Sequence, residues 1–362
     1  MGIEDIYAKI KNHTEQQLPF VIYRKAGSNV LQALLQQDNM VHESQGFLTS
    51  GFVFAPFSNN HKTIIIPTKK SEYYSVVIPE QELERNLQTS VIKSNAEEDK
   101  EAREKHILLV EDGIKTIKSG SFKKVVLSRK EEVFKSDSLS AVKVFQRLIK
   151  KYSNAFVYLW YHPEIGTWLG ATPETLISVK KTNFFTMALA GTQPYRGTMN
   201  VNWKDKELVE QSMVTSFLVK ELSFFIKDLK VSETYTYRAG TLLHLRTDIR
   251  GYLDIKNHGV RDVIKILHPT PAVCGLPKNQ SKFYILNNES YDRKYYTGFL
   301  GEVNMDLDSV IQSNIFVNLR CMEFKKEKAV LYIGGGVTKD SDPQKEWEET
   351  VKKTETMKKV LF

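Results

Sequence analysis

Two charged segments contain carboxylates at spacings that could hold a metal ion. In KDKELVEQSMV, Glu207 and Glu210 lie three residues apart and share one face of a predicted helix. Near the C-terminus, Glu346, Glu349 and Lys353 share a helix face in the same way. Such patterns usually form a solvated charged face. The functional alternative is that one carboxylate from each helix binds a Mg²⁺ ion. Mg²⁺ suits such a site, because it binds few carboxylates and keeps several water ligands.

A run of three glycines could bind an anion. The segment GGGVTKDSDP occupies residues 334–343, directly before a predicted helix start. Backbone N–H groups next to a helix N-terminus can point at an anion. A loop that needs positive φ angles is equally compatible with this pattern, so both interpretations stay open. The chain has no GxxxxGK[ST] or HExxH motif, and its eight histidines are scattered, which argues against a histidine metal site.

The composition is typical of a folded protein from a reducing compartment. The chain has 362 residues, of which 41% are hydrophobic and 26% charged. Two cysteines, Cys274 and Cys321, exclude a disulfide scaffold and a four-cysteine zinc site. No apolar run approaches the roughly 18 residues that cross a bilayer, and the N-terminus has no signal-peptide core. We therefore expect a cytoplasmic protein with no membrane partner.

The charge balance is basic but not concentrated. There are 51 basic and 43 acidic residues, which gives a formal net charge of +8. Lysines and arginines are interleaved with acids, as in KKSEYY and EFKKEKAV, and are not collected in runs. This favours a solvated basic surface over nucleic-acid binding, and it is also compatible with a small polyanionic substrate. We expect no nucleic-acid partner.

Apolar periodicity predicts many strands and a few helices. Helical spacing covers 106–120, 205–229 and a segment that starts near 341–343, while residues 1–92 resemble short strands and loops. The polar stretch 93–105 is the one plausible seam. Without regular βαβ alternation, this pattern predicts an α+β fold with large antiparallel sheets in a single domain, 1–362, with 105–362 as its catalytic portion. Strands are predicted at 123–129, 155–161, 167–170, 174–179, 233–250, 311–323 and 328–334.

Nine motifs occur in one order over residues 121–353, and together they resemble the chorismate-utilising enzymes, most closely the isochorismate synthases. The N-terminal part, 1–92, agrees more loosely through LPFVIYRKAG and GFVFAPF. The resemblance implies a fold of extensive antiparallel sheets packed face to face with helices outside. The motifs are KKVVLSR, WLGATPETL, ALAGTQPYRG, KDKELVEQSMV, LLHLRT, LHPTPAVCGLPK, ESYDRKYYTGFLG, NLRCMEF and YIGGGVTKDSDPQKEWEET with the lysine that follows.

The resemblance implies a Mg²⁺-dependent conversion of chorismate to isochorismate, in which water adds at C2 of the ring and the C4 hydroxyl leaves. Lys124, in KKVVLSR, matches the family's general base and must be neutral to take a proton from water. Glu174, in GATPETL, matches the general acid for the departing hydroxyl and needs a raised pKa. Strand alternation places Lys123 on the opposite face from Lys124.

The resemblance also assigns residues to the metal and to the substrate. Glu210 and Glu349 match the Mg²⁺ ligands, and Glu346 is expected to add a contact through water. Arg320 and Lys353 match residues that pair with substrate carboxylates, which Arg320 can do through two hydrogen bonds. The other expected substrate contacts are the backbone N–H groups of Gly335 and Gly336 and a ring pocket of Ala190, Gly191, Thr192, His244 and Tyr332.

Two residues at the expected site allow more than one interpretation. Gln211 follows Glu210 where many relatives have histidine, and we interpret it as a change in the surroundings of the metal ligand. His244 fits a structural histidine as well as it fits a substrate contact.

Other reactions and a non-enzymatic role remain as alternatives. Salicylate synthases share the residues that Lys124 and Glu174 match and add a pyruvate elimination. Aminodeoxychorismate synthases that attack with a lysine carry it where this chain has Ala190, and anthranilate synthases lack the water-activating lysine. A basic binding protein on a decayed enzyme scaffold is a further alternative. We expect chorismate as the small-molecule partner of a monomer, and the sequence leaves open whether the product serves menaquinone or siderophore synthesis.

Overall fold

A computed structural model of the chain describes residues 2–84, 99–240, 242–307 and 309–362. Eight α-helices lie within these ranges, and none combines the length and the apolarity that would let it span a membrane. The helices are α1 Ile3–Glu15, α2 Glu80–Glu84, α3 Lys100–Lys118, α4 Ala141–Lys151, α5 Asp205–Leu222, α6 Val260–Leu267, α7 Lys278–Asn288 and α8 Pro343–Leu361.

The strands of the described residues alternate with these helices in no regular order. They are β1 Phe20–Arg24, β2 Val30–Gln36, β3 Gly51–Ala55, β4 Ile64–Pro67, β5 Ser71–Val77, β6 Lys124–Phe134, β7 Phe156–His162, β8 Gly166–Thr172, β9 Thr175–Lys180, β10 Asn183–Pro194, β11 Ile226–Val231, β12 Tyr235–Ala239, β13 Leu242–Leu253, β14 Gly275–Leu276, β15 Phe299–Leu307, β16 Val310–Val317, β17 Cys321–Phe324 and β18 Lys328–Val337.

The strands form two large antiparallel sheets that pack face to face. The first has the order β14-β6-β18-β17-β8-β7-β1-β2-β5, and the second has the order β11-β13-β10-β9-β16-β15-β3-β4, with β12 beside β13. Aromatic side chains fill the space between them, including Tyr158 and Trp160 of the first sheet and Phe52, Phe54 and Phe316 of the second. Burying these large rings stabilises the interface between the sheets. The predicted α+β class is confirmed.

Helices cover the outer faces of both sheets. On the first sheet, Ile6 and Ile10 of α1, Phe145 of α4 and Val360 of α8 join one apolar cluster. On the second sheet, α5 and α6 pack through residues such as Val214. Each helix places apolar residues at the three- and four-residue spacing that turns one stripe to the sheet.

Several predicted elements differ from the structure. Residues 100–105 of the predicted seam form the start of α3, and the segments 233–250 and 311–323 each contain two strands. Residues 1–92 contain a helix, α1, because Ile6 and Ile10 lie four apart on a face that the first sheet buries. The helix predicted over 205–229 ends at Leu222, because Ile226 begins an edge strand that pairs with β13. The strand predicted over 328–334 continues to Val337. Residues 93–98 of the predicted seam lie outside the described residues.

The topology brings the residues that the motifs single out to one end of the sheets. Strand β18 pairs with β6 along its whole length, with Gly336 opposite Val126. Helix α8 follows β18 directly and packs against it, and α5 packs against β10. The candidate site lies where these five elements meet.

Candidate active site

A cleft that is partly open to solvent lies at this meeting point. It brings together residues that are far apart in the sequence. Of the residues predicted for the site, only Lys124 and Glu346 do not line it, and Lys124 pairs with Glu210, which does. The predicted residues on its wall are Glu174, Ala190, Gly191, Thr192, Glu210, His244, Arg320, Tyr332, Gly335, Gly336, Glu349 and Lys353.

Lys124 is fully buried at the start of β6, while its neighbour Lys123 is exposed, as strand alternation predicts. The Nζ of Lys124 lies 2.9 Å from Oε1 of Glu210 on α5. Within the described residues, Lys124 Nζ has no partner at an angle suitable for a hydrogen bond, so its contact with Glu210 is an ion pair. Taking an ammonium out of water is costly, and the Glu210 carboxylate offsets that cost.

Glu210 is an ionised carboxylate beside three cations. Burial acts to raise its pKa, but Lys124, Lys206 and Lys353 more than offset this and hold the pKa below its usual value. An ionised carboxylate is the form that can bind a hard cation.

Glu174 lies between β8 and β9 and is 5% exposed. Its backbone N–H donates to Oγ1 of Thr172, 3.3 Å away, and its carbonyl accepts from Val317. Burial raises the pKa of Glu174 to about 8, even though Lys124 and Arg320 act to lower it. The carboxyl group is therefore largely protonated at neutral pH, as a general acid requires.

Helix α8 contributes two carboxylates on one face, Glu346 and Glu349. Glu346 is 2% exposed and pairs through Oε1 with Lys206 of α5, while its Oε2 has no hydrogen-bond partner among the described residues. Glu349 pairs with Lys353 at 2.7 Å. Burial and the neighbouring Glu349 raise the pKa of Glu346, although Lys206 acts to lower it.

The three carboxylates of α5 and α8 fit a magnesium ion chemically. A Cβ built on Gly335 would lie 3.4 Å from Glu346 Oε2 and 3.9 Å from Glu349 Oε1, and one on Gly336 would lie 2.4 Å from Glu210 Oε1. All three groups thus reach the same two glycines, and one of their oxygens is unpartnered. Their oxygens suit a hard cation. Within the described residues, no three acidic, histidine or cysteine side chains are already arranged as a metal site.

The triple glycine is part of a strand and is not a loop before a helix. Gly334, Gly335 and Gly336 lie in β18, and none has a positive φ angle. Strand β17 pairs with β18 only as far as Leu331, so one edge of the glycine segment is open. At that edge, the carbonyl oxygen of Gly334 accepts a hydrogen bond from Lys353 Nζ, 2.9 Å away. In an antiparallel pair, the backbone N–H groups of successive residues point to opposite edges of the strand. The N–H of Gly336 therefore points to the same open edge, whereas the N–H of Gly335 points to β6, opposite Leu127.

Arg320 and His244 form a coupled pair on the opposite wall. Arg320 Nη2 lies 2.6 Å from His244 Nε2, and His244 Nδ1 lies 2.8 Å from the carbonyl oxygen of Gly191. Arginine only donates, so Nε2 must accept and Nδ1 must carry the proton. Burial and the charge of Arg320 hold the pKa of His244 well below its usual value, which agrees with a neutral ring.

The backbone of Arg320 is held in an uncommon conformation. Its φ is 46°, in the left-handed region, and Nη1 donates to the carbonyl of Ala239 at 3.1 Å. Such strain persists only where the surroundings fix it, and it is concentrated at functional sites. Burial lowers the pKa of Arg320 to about 10, so the guanidinium remains a cation at neutral pH.

The ring of Tyr332 lines the cleft, and its hydroxyl forms a hydrogen bond with Glu323. The ring stacks on Trp168 and Tyr296, with centroids 5.3 and 5.6 Å away. The hydroxyl donates to Oε2 of Glu323 at 3.2 Å. An aromatic wall of this kind suits a flat carbon ring.

Gln211 anchors the helix that presents Glu210. Its Nε2 donates to the carbonyl of Ala188 on β10 and to Oγ1 of Thr247 on β13, each at 3.1 Å. These bonds fix the rotation of α5 against the second sheet. The interpretation of Gln211 as part of the surroundings of the metal ligand agrees with this position.

Sequence reasoning did not single out Lys206, Tyr296 or Thr297. Lys206 lies one helical turn before Glu210, and that spacing could have drawn attention to it. Tyr296 and Thr297 line the cleft from the ESYDRKYYTGFLG segment. That motif was recognised, but no spacing within it singles out these two residues.

The fold and this site define a class, the chorismate binding enzymes. Residues 40–362 match the profile of the family described as chorismate binding enzyme, and the chain belongs to that family. Solved structures give the same fold. A putative 2,3-dihydroxybenzoate-specific isochorismate synthase, DhbC, from Bacillus anthracis has a TM-score of 0.78 at 23% identity, and covers 95% of this chain and 96% of its own. MenF from Escherichia coli, described as menaquinone-specific, has a TM-score of 0.77 at 19% identity, covering 96% and 89%.

Among curated proteins, this chain is similar to several isochorismate synthases. It is 29% identical over 267 residues to isochorismate synthase DhbC of Bacillus subtilis. The aligned region covers 70% of this chain and 66% of the relative. It is 27% identical over 252 residues to isochorismate synthase MenF of Haemophilus influenzae. Here the aligned region covers 67% of this chain and 57% of the relative. The chain thus spans about two thirds of the length of these relatives, or less.

Proposed function

We propose that this protein is an isochorismate synthase, an isomerase that converts chorismate to isochorismate in the presence of Mg²⁺. The observation that carries the proposal is a buried lysine and a buried, largely protonated glutamic acid at one cleft. Lys124 is fully buried, and the pKa of Glu174 is raised to about 8. A buried carboxyl group that keeps its proton at neutral pH is suited to act as a general acid. Similarity to relatives named isochorismate synthase supports the same activity.

In this reaction Lys124 takes a proton from the attacking water as its oxygen bonds to C2 of the ring. The lysine must be neutral at that moment. Its Nζ is fully buried and lies 2.9 Å from Oε1 of Glu210, which places the proposed base beside the proposed metal ligand.

Glu174 supplies a proton to the C4 hydroxyl, which leaves as water when its bond to carbon breaks. The two ring double bonds shift at the same time, from C1=C2 and C5=C6 to C1=C6 and C4=C5, so that their electrons connect the new bond at C2 to the breaking bond at C4. One water enters and one leaves, so the product is an isomer of the substrate. The buried position of Glu174 keeps bulk water from taking its proton, which leaves the proton available to the departing group.

Charged residues on the walls orient the two carboxylates of chorismate. Arg320 can bind one of them through two parallel hydrogen bonds, and Lys353 can bind as a point charge. The N–H of Gly336 at the open edge of β18 offers a further donor. Mg²⁺ held by Glu210 and Glu349, with Glu346 in contact through water, would neutralise substrate charge at that end of the cleft.

The cellular setting is part of the proposal. Relatives carry names that refer to menaquinone and to 2,3-dihydroxybenzoate, and we propose that the product of this enzyme enters menaquinone or siderophore synthesis. We further propose a cytoplasmic monomer with chorismate as its substrate, because no long apolar seam marks the sequence.

Incubation of the purified protein with chorismate and Mg²⁺, without ammonia, tests the proposal. Accumulation of isochorismate until it balances chorismate, as measured by chromatography, is the expected result. Salicylate with pyruvate would assign the chain to the salicylate synthases instead. Turnover only after ammonia is added would reject the role of Lys124 as a water-activating base. No turnover under either condition, with salt-sensitive nucleic-acid binding, would favour the binding-protein alternative.

A further inference from the structure

Lys206 holds a position that the catalytic roles above do not use. It lies in the first turn of α5, and its Nζ forms an ion pair with Oε1 of Glu346 on α8. The side chain is 26% exposed, whereas Glu346 is 2% exposed. A flexible, partly exposed cation therefore caps a buried carboxylate that belongs to another helix.

All three candidate metal ligands, Glu210, Glu346 and Glu349, interact electrostatically with the ammonium group of Lys206. Burial alone would lower the pKa of Lys206, but Glu346, Glu349 and Glu210 together raise it above its usual value. Lys124 and Lys353 each pair with a single member of the same group, Glu210 and Glu349. Lys206 of α5 thus interacts with the carboxylates of both helices, and it pairs directly with Glu346 of α8.

The local backbone does not favour a cation at this point. The first turn of a helix carries partial positive charge, so a lysine there is stabilised only by nearby anions. Conversely, clustered buried carboxylates without a cation repel each other and lose their hydration. The second oxygen of Glu346, Oε2, is buried and unpartnered within the described residues, so the cluster still has an acceptor to offer.

We propose that Lys206 is a tethered counter-ion that neutralises the cluster of Glu210, Glu346 and Glu349 when no divalent cation is bound, and that it competes with Mg²⁺ for that cluster. This inference rests on the magnesium role in the proposed function and adds to it. The partly exposed side chain can swing toward solvent when the ion enters. The lysine stabilises the empty site and weakens the affinity for the ion, so the site exchanges Mg²⁺ readily.

Calorimetric titration of the full chain with Mg²⁺, at fixed ionic strength and without chorismate, tests the inference. Lys206→Met removes the charge and keeps the side-chain length. Lys204→Met is the matched control, because Lys204 is an exposed lysine two residues away, and within the described residues the three carboxylates form their ion pairs with other lysines. Lys206→Arg keeps the charge.

The expected result is that Lys206→Met binds Mg²⁺ about tenfold more tightly than the wild type, while Lys204→Met and Lys206→Arg stay close to it. Without Mg²⁺, the midpoint of thermal unfolding should fall for Lys206→Met and recover when the ion is added. If Lys206→Met does not fold without the ion, folding on addition of Mg²⁺ supports the inference, and a failure to fold with it overturns the inference.

An affinity that is unchanged or weaker in Lys206→Met would overturn the competition and leave Lys206 as a bystander or a supporting residue of the site. If the wild type binds Mg²⁺ and forms isochorismate, that outcome rejects this inference alone. If the wild type binds no Mg²⁺, both the counter-ion role and the magnesium part of the proposed function fail.

Discussion

The Nζ of Lys124 lies 2.9 Å from Oε1 of Glu210, directly across from Gly336. The proposed base on β6 and the proposed metal ligand on α5 are therefore in contact. A Cβ on Gly336 would lie 2.4 Å from that Glu210 oxygen and 3.2 Å from Cε of Lys124. Only glycine leaves room for this pair, so the glycine segment of β18 shapes the site through close approach.

Gly336→Ala should displace the Lys124–Glu210 pair and reduce kcat by about 100-fold, since small misplacements of reacting groups carry penalties of that order. Gly335→Ala is the comparison, because its nearest contact would be an ordinary 3.4 Å from Glu346. Steady-state kinetics of both variants, with circular dichroism to check folding, measure the difference. Equal effects would refute the steric argument.

Lys124→Met should lower kcat by about 10²–10⁴-fold, the usual contribution of a general base. The variant keeps the length of the side chain but cannot accept a proton. Lys123→Met, one residue away and exposed, should retain full turnover. A chorismate turnover assay on both proteins decides the question, and near-normal rates for Lys124→Met would remove Lys124 from the mechanism.

Glu174 should make the rate fall as pH rises through about 8, because the acid must hold its proton and its pKa is raised to about 8. A pH profile of kcat/KM for the wild type measures this limb. In Glu174→Gln the remaining rate should be at least about 100-fold lower, and it should no longer show that limb. A limb that persists in the Gln variant would assign it to another group.

The same carboxyl links stability to pH. Its folded pKa of about 8 lies above the usual 4.5, so the folded state holds the proton more tightly than the unfolded state. The resulting stabilisation is fully present below about 4.5 and is lost as pH rises through about 8. The free energy of unfolding of the wild type should therefore fall across this window relative to that of Glu174→Gln. Parallel curves from denaturant titrations would contradict the assignment.

Glu349→Gln should weaken Mg²⁺ binding at least about tenfold, because it leaves the ion with one charged ligand fewer. Glu348→Gln provides the control, since Glu348 is exposed and its carboxylate accepts a hydrogen bond from Gln344, one turn earlier on the same helix. Calorimetry with Mg²⁺ measures both affinities. Wild-type turnover that is indifferent to a chelator would show that the carboxylates serve another purpose.

Arg320→Lys should raise the KM for chorismate by about 10–100-fold, because hydrogen bonds to charged groups contribute about 1.5–3 kcal/mol and lysine cannot form the planar fork. It also removes the donor to His244 Nε2. Arg238→Lys is the surface control, since Arg238 stacks on Tyr195 outside the cleft. An unchanged KM for Arg320→Lys would place the substrate carboxylate elsewhere.

The sequence by itself determined the chemistry of individual positions. Strand alternation separated the buried Lys124 from the exposed Lys123, and helical spacing put Glu346 and Glu349 on one face. The order of nine motifs indicated the family to which the chain belongs. These features are local, because they depend on a residue's own side chain and on neighbours within two turns or a few strand positions.

The tertiary structure decided which local features come together. Only the pairing of β18 with β6 and the packing of α5 and α8 bring Glu210, Glu349 and Lys206 to one place. The same packing buries Glu174 and thereby raises its pKa, and it makes the glycines a strand that carboxylates approach closely. Periodicity shows which face of an element is buried. What lies against that face, and therefore how charges interact there, is set by contacts between distant parts of the chain.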